Sequence, residues 1–345
     1  MKKILNLLLC VVSIMVVSSC DNPLSNSAKS TGGTSELLII TESPQQWEGA
    51  VGDTLRSVFG AYLEAMPQPE PRYDILNASV KKFENNPLYA THSLILVLKT
   101  DSTVSEPMVD ITRNKWATPQ IIITMKANSD SSLITSVGKY AEAILELFQK
   151  NQFERTLNLL NMSPNREVSQ TIQKEFNINM IIPGSFHVAI HKNNFLWLRQ
   201  SAHRKKQDTE LGIIVYSQNY SDTAQFNMKS VLAWRDSIGF EYIKGPTDGS
   251  FMQTSVDVIP PVRNVVESKE TGYTVITKGL WMIKKDFMGG PFVNYTLYDK
   301  ANNRMITAEG YVYNPNGEKR NYMIQMEAIL QSIRWNNLNE ENVNN

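Results

Sequence analysis

The sequence is poor in cysteine, in net charge and in catalytic signatures. Only Cys10 and Cys20 occur in 345 residues. With Cys10 inside an apolar leader, Cys20 stands alone, and a single thiol excludes structural disulfides and thiolate metal sites in the folded part. Lys+Arg and Asp+Glu both total 34, so a leader holding Lys2 and Lys3 leaves 32 basic against 34 acidic. A chain that grips nucleic acid carries a basic excess, so nucleic acid is not an expected partner. The strings HExxH, GxSxG, GxxxxGK and GxGxxG are missing. Ser79-Val80-Lys81-Lys82 has the S-x-x-K spacing of penicillin-binding enzymes, but its partner strings S-D-N and K-T-G do not occur. The histidines are His92, His187, His191 and His203. His187 and His191 fall on a predicted strand, about 13 Å apart along it, too far for one ion. No catalytic residue, metal or cofactor is expected.

What is present gives an address. Lys2 and Lys3 precede the apolar stretch Ile4 to Val17, which is too short to span a bilayer and reads as a secretory h-region. Val17-Ser18-Ser19-Cys20 resembles a lipobox, in which the cysteine receives lipid and becomes the new N-terminus. Lipidation at Cys20 explains a lone thiol in an oxidising compartment, and two or three acyl chains make attachment to the membrane effectively permanent. Residues 1–19 are then the signal peptide, and 20–35, rich in Ser, Asn, Gly and Thr, a flexible tether.

With 42% hydrophobic residues, the remainder can bury one large core or two. The expected class is α+β, with antiparallel sheets covered by helices, in an N-terminal half over 36–180 and a C-terminal half over 181–335. Residues 36–41, 93–98 and 120–125 read as strands, and Asp53 as the N-cap of a short helix. Ser129 to Ser132 caps a long amphipathic helix, with a second, more polar helical stretch over about 152–173. The later half reads as a hairpin over 186–198, a strand over 211–216, a helix over 224–237 and a meander over 273–313, closed by a helix after Gly317. Glu-Ala-Ile-Leu recurs at 142–145 and 327–330, which leaves open whether the halves are similar. Residues 336–345, NNLNEENVNN, read as a polar, disordered tail.

The segments GPTDGSFM (245–252) and GLWMIKKDFMGGPF (279–292), with Trp47-Glu48-Gly49 and Arg320 to Leu330, resemble an uncharacterised family of Bacteroidetes lipoproteins known only as a domain of unknown function. The resemblance implies a bacterial envelope setting and brings no activity with it. In such lipoproteins a run of acidic residues after the lipidated cysteine marks surface export. Here only Asp21 follows, so a periplasm-facing position in the outer membrane is expected. Envelope proteins of this lineage resemble one another in carrying O-glycans at Asp-Ser/Thr followed by an aliphatic or small residue. Thr54, Ser102, Thr223 and Ser237 stand in such strings, although Asp53 and Asp222 serve equally well as helix caps.

The two glycine-rich segments are the candidate binding region. Gly245, Gly249, Gly289 and Gly290 allow close backbone approach, and Tyr242, Asp248, Trp281 and Asp286 supply a polar and aromatic lining. The same strings are also hairpin-turn chemistry. Arg199 to Lys206 is the densest basic stretch, read either as a solvated loop or as a contact for anionic headgroups. The resulting reading is a lipid-anchored, non-enzymatic binding or scaffolding module for an envelope protein or glycan. The alternatives are a glycan-acting enzyme using Asp248 and Asp286, and a carrier of a hydrophobic ligand.

Overall fold

The computed structural model of the protein describes residues 28–204 and 207–336. The leader, Cys20 and the stretch 337–345 lie outside the described residues. The first half contains β1 (Glu36–Thr41), α1 (Ala50–Phe59), β2 (Asp74–Ser79), β3 (Leu94–Thr100), β4 (Met108–Arg113), β5 (Ile121–Ala127) and α2 (Asp130–Leu160). Its sheet runs β2-β1-β3-β5-β4. Every pairing is parallel except β4 with β5. The α+β class is borne out, but this sheet departs from the antiparallel expectation. The reason is in the runs ELLIIT, LILVL and IIITM, which are apolar throughout rather than alternating, as strands covered on both faces must be. Leu37 and Ile39 pack with Leu55, Phe59 and Phe148 on one side. Leu38, Ile40, Ile95 and Val97 pack on the other, against Val80, Phe83 and Tyr89.

Two helix boundaries also differ from expectation. Asp53 is not an N-cap: α1 starts at Ala50 behind Gly49, which places Asp53 in the first turn. Ser129 caps α2 by accepting the Ser132 N–H, and the helix then runs to Leu160, through Gly138, because no Pro occurs before Pro164. The second stretch is the separate helix α3 (Arg166–Phe176), capped by Asn165 and ended by Asn177 in the left-handed region. It buries Val168, Ile172 and Phe176 in the core of the second half.

That half continues with β6 (His187–Lys192), β7 (Phe195–Arg204), β8 (Gln207–Asn219), α4 (Met228–Tyr242), β9 (Met252–Ser255), β10 (Val262–Ser268), β11 (Gly272–Ile283), β12 (Gly289–Asp299), β13 (Arg304–Tyr313) and α5 (Arg320–Gln331). The sheet order is β9-β11-β12-β13-β8-β7-β6, with β10 pairing β11 beyond β9. All of its ladders are antiparallel. Alternation now governs burial. Leu198, Ile213, Val293 and Ile306 face α3 and α5, whereas Phe195, Tyr216, Trp281 and Tyr311 face α4. The two halves are thus both sheet-and-helix layers, but of different topology.

Residues 28–35, expected as part of a tether, are docked. Ala28 and Lys29 pair with Ala117 and Thr118, Thr31 bridges to His92, and Arg155 donates to the carbonyls of Gly32 and Gly33 at 2.6 and 3.1 Å. Backbone carbonyls that need partners, next to a guanidinium able to serve two of them, hold this segment against the fold.

Candidate functional site

A cavity of about 750 Å3 lies between α2, α5 and the β10 side of the second sheet, a size suited to a small ligand or a short peptide. Helical spacing brings Glu142, Leu145, Glu146 and Gln149 to one wall of α2. Val262, Asn264, Lys278 and Glu327 line the opposite wall. Phe153, Met323 and Ile324 supply apolar surface, and the loop Leu63 to Met66 with Arg72 closes the rim. That loop is stiffened by Pro67, Pro69 and Pro71, and Ala65 sits in it at φ 55, a strained conformation for a side chain with a Cβ.

The charges of the cavity fall into two groups. Lys278 Nζ bonds both oxygens of Glu327 at 2.8 Å. Arg320, almost fully buried, bonds Asp74 at 3.1 and 2.5 Å and the Pro71 carbonyl at 2.7 Å, while its Nε has no partner. Glu64, Glu142 and Glu146 make no hydrogen bond or ion pair among the described residues, and Arg72 is the one cation of the lining without a carboxylate partner. Three exposed carboxylates and one guanidinium of the lining are thus without an ionic partner among the described residues.

The glycine-rich segments do meet, at the end of the second sheet away from β10. Lys244 bridges to Phe251, the Lys284 N–H donates to the Phe251 carbonyl at 2.9 Å, and Gly245 lies against Ile283 and Ser250. Asp286 accepts the N–H groups of Phe287 and Met288 at 2.6 and 3.1 Å, closing the β11–β12 turn, and Asp248 is exposed. Trp281 is buried, with its indole N–H on the Val312 carbonyl at 3.2 Å and its ring edge-on to Tyr311. Tyr242 stacks on Phe195 at 4.1 Å. Gly289 and Gly290 let neighbouring strands close up, since a Cβ on Gly290 would stand 2.0 Å from the Val312 carbonyl oxygen. These contacts are turn and packing contacts.

Two family models match this architecture. One, a domain of unknown function (DUF8532), covers residues 30–161, and the other, also of unknown function (DUF4837), covers residues 165–332. The chain carries both uncharacterised domains. Membership of an uncharacterised family, expected from the sequence, is borne out in this form. No curated protein matches. Among solved structures, the Ran-binding protein Mog1p of Saccharomyces cerevisiae is 10% identical with a TM-score of 0.30, covering 46% of this chain and 90% of that one. A single-site mutant of protein Mog1 is 9% identical, also at 0.30, covering 48% and 93%.

The cavity is bounded by both DUF domains, and the seam between them is polar. Glu70 from the DUF8532 side accepts the N–H groups of Lys319 and Arg320 at the start of α5 in DUF4837, at 2.9, 3.0 and 2.7 Å. Ser35 donates to Asn321 at 2.8 Å. Inside DUF4837, a second buried polar group fixes α4 to the sheet. Arg235 bonds Glu309 at 2.8 to 3.1 Å and lies 4.0 Å over the Phe292 ring, while Asn294 bonds both Glu309 and Tyr216. Burial, followed by the Glu309 charge, pushes the Tyr216 phenol well up.

The remaining sequence candidates are dispersed. His92 is buried, its Nδ1 on the Leu94 carbonyl at 3.2 Å and its Nε2 without a partner. His191 pairs with Glu175 at 2.7 Å. Ser79 of the S-x-x-K string caps a short helix by accepting the Lys82 N–H. Arg199 pairs with Glu210, while Lys205 and Lys206 lie outside the described residues. Ser102, Thr223 and Ser237 are exposed and Thr54 is half-buried; Asp222 forms a capping box with Gln225. Among the described residues no group of three metal-ligating side chains occurs, and no helix is long and apolar enough to cross a membrane. Sequence reasoning missed the cavity. Its one local signal is the like-charged pair Glu142 and Glu146 at i,i+4, which costs a helix stability unless something faces it.

Proposed function

We propose that the chain is a lipid-anchored protein of the bacterial cell envelope, held to the outer membrane through Cys20 and facing the periplasm. It binds an envelope protein or glycan, without chemical turnover, in the cavity between its two halves. The observation that carries the binding reading is the lining of that cavity, in which the exposed carboxylates of Glu64, Glu142 and Glu146, unpaired among the described residues, stand together with the apolar surface of Phe153, Met323 and Ile324. The candidate acid/base residues give the enzyme reading little support, because Asp286 spends its carboxylate on its own turn. A cavity lined by Glu, Arg and Lys likewise disfavours a hydrophobic cargo. The anchor rests on the lipobox, and docking of the chain from Ala28 onward leaves a link from Cys20 that spans at most about 28 Å when extended, keeping the fold beside the bilayer.

Two measurements test this. Palmitate labelling should mark the wild type and not Cys20→Ala; equal labelling refutes the anchor. A photo-crosslinking residue at Gln149, in the native host, should give a discrete adduct absent when it is placed at exposed Lys300. Identical patterns refute the cavity as the binding site.

A further inference from the structure

The cavity is open beside an unfinished sheet. Among the described residues the strand β10 pairs with β11 alone, and no backbone group of Val262–Ser268 bonds to any other segment's backbone. Arg263 to Glu267 are all exposed, including Val265 at 44% and Val266 at 41%. An edge of this length with its amides and carbonyls unpaired is a template for another extended chain. Exposed edges occur elsewhere in the fold, but β10 is the one whose face residues, Val262 and Asn264, line the cavity. Val262 stands beside Lys278 in the ladder. A strand added outside β10 therefore turns alternate side chains to the cavity side. Glu64, Glu142 and Glu146 line that side together with Arg72, the one lining cation without a carboxylate partner among the described residues.

We propose that the ligand of this cavity is an extended peptide segment that adds as a strand to β10 and places basic side chains against Glu142 and Glu146. This names the ligand class for the binding site proposed above and rests on that site. Backbone pairing supplies the part of the affinity that is independent of sequence, and the carboxylates supply the selection for Lys or Arg. A glycan has no comparable use for the unpaired edge.

The test uses calorimetry on the full chain with three probes: a capped Val-Lys-Val-Lys-Val peptide, its Glu counterpart, and an N-acetylglucosamine trisaccharide. The Lys peptide should bind, and the Glu peptide at least about tenfold more weakly, as expected for losing charge-assisted bonds. N-methylation of one alternate set of amides in the Lys peptide should abolish binding, while methylation of the other set, which points away, leaves it intact. The double variant Glu142→Gln/Glu146→Gln, on an exposed helix face, should bind both peptides alike. Equal binding of the two peptides by wild type, indifference to both methylations, or no peptide binding overturns the inference. Trisaccharide binding without peptide binding overturns it too, while leaving the cavity as a binding site; loss of the Gln149 adduct is what removes the site itself.

Discussion

Glu70 serves as the N-terminal cap of a helix that begins 250 residues later, at Arg320. The helix lacks a capping side chain of its own: Lys319 occupies the cap position and makes no such bond. The Glu70 carboxylate, nearly fully buried, takes two of the N–H groups that every helix start leaves open. Its charge also suits the positive end of the helix dipole. One side chain thereby joins the two halves and shapes the rim of the cavity.

Glu70→Ala should destabilise the protein by about 2 kcal/mol, since a cap is lost and two buried donors are left unpaired. Glu70→Gln, which keeps an acceptor, should lose about half of that. Urea unfolding of the three proteins checks the order, and equal midpoints for Ala and wild type would remove Glu70 from the account.

Arg235 and Glu309 form an ion pair shielded from water on every side. Arg235→Met or Glu309→Leu alone should cost about 3 to 5 kcal/mol, because each leaves a buried charge without its partner. The double variant should cost far less than the sum. A double-mutant cycle by denaturant unfolding measures this; additive losses would mean that the pair does not act as a unit.

Stability should fall as pH drops below about 6.5. His92 is held below its ordinary value of 6.5, chiefly by burial, with Arg155 opposing its protonation and Glu36 and the Leu94 carbonyl favouring it. Gly32 lies directly against the ring. The unfolded chain takes up the proton first, so the contribution of neutral His92 is present above 6.5 and is lost as pH falls through the lowered folded value. His92→Gln should flatten this part of the profile, read as the change in urea midpoint on either side of 6.5. A variant with the wild-type slope would assign the loss to other groups.

Gly290 and Phe287 lie three residues apart and should respond in opposite ways. Gly290→Ala puts a methyl into the Val312 carbonyl and should cost at least about 2 kcal/mol, as forced overpacking does. Phe287, fully exposed at the turn, touches no core, so Phe287→Ser should change stability by less than about 0.5 kcal/mol. Thermal melts compare the two, and a large loss for Ser would mean that the ring packs somewhere.

The elements of the fold were written locally. The runs ELLIIT, LILVL and IIITM fixed three strands, Ser129 and Asn165 fixed helix starts, and the alternation through 273–313 fixed a meander, because burial periodicity and capping act over a few residues. The weakly patterned edges, Asp74–Ser79 and Met108–Arg113, went unread, since an exposed strand has no buried face to advertise it. Parallel pairing in the first sheet had a signal in its unbroken apolar runs, but the expectation was antiparallel, because such runs fix a strand without fixing its neighbours. The cavity was not legible, because its walls come from Glu64, Glu142, Asn264 and Glu327, residues brought together only when Glu70 and Asp74 clasp the start of α5. The sequence by itself determined most of the elements and the class. Tertiary structure alone decided which charges found partners and which stayed free, because that depends on side chains meeting across hundreds of residues, where no local spacing constrains them.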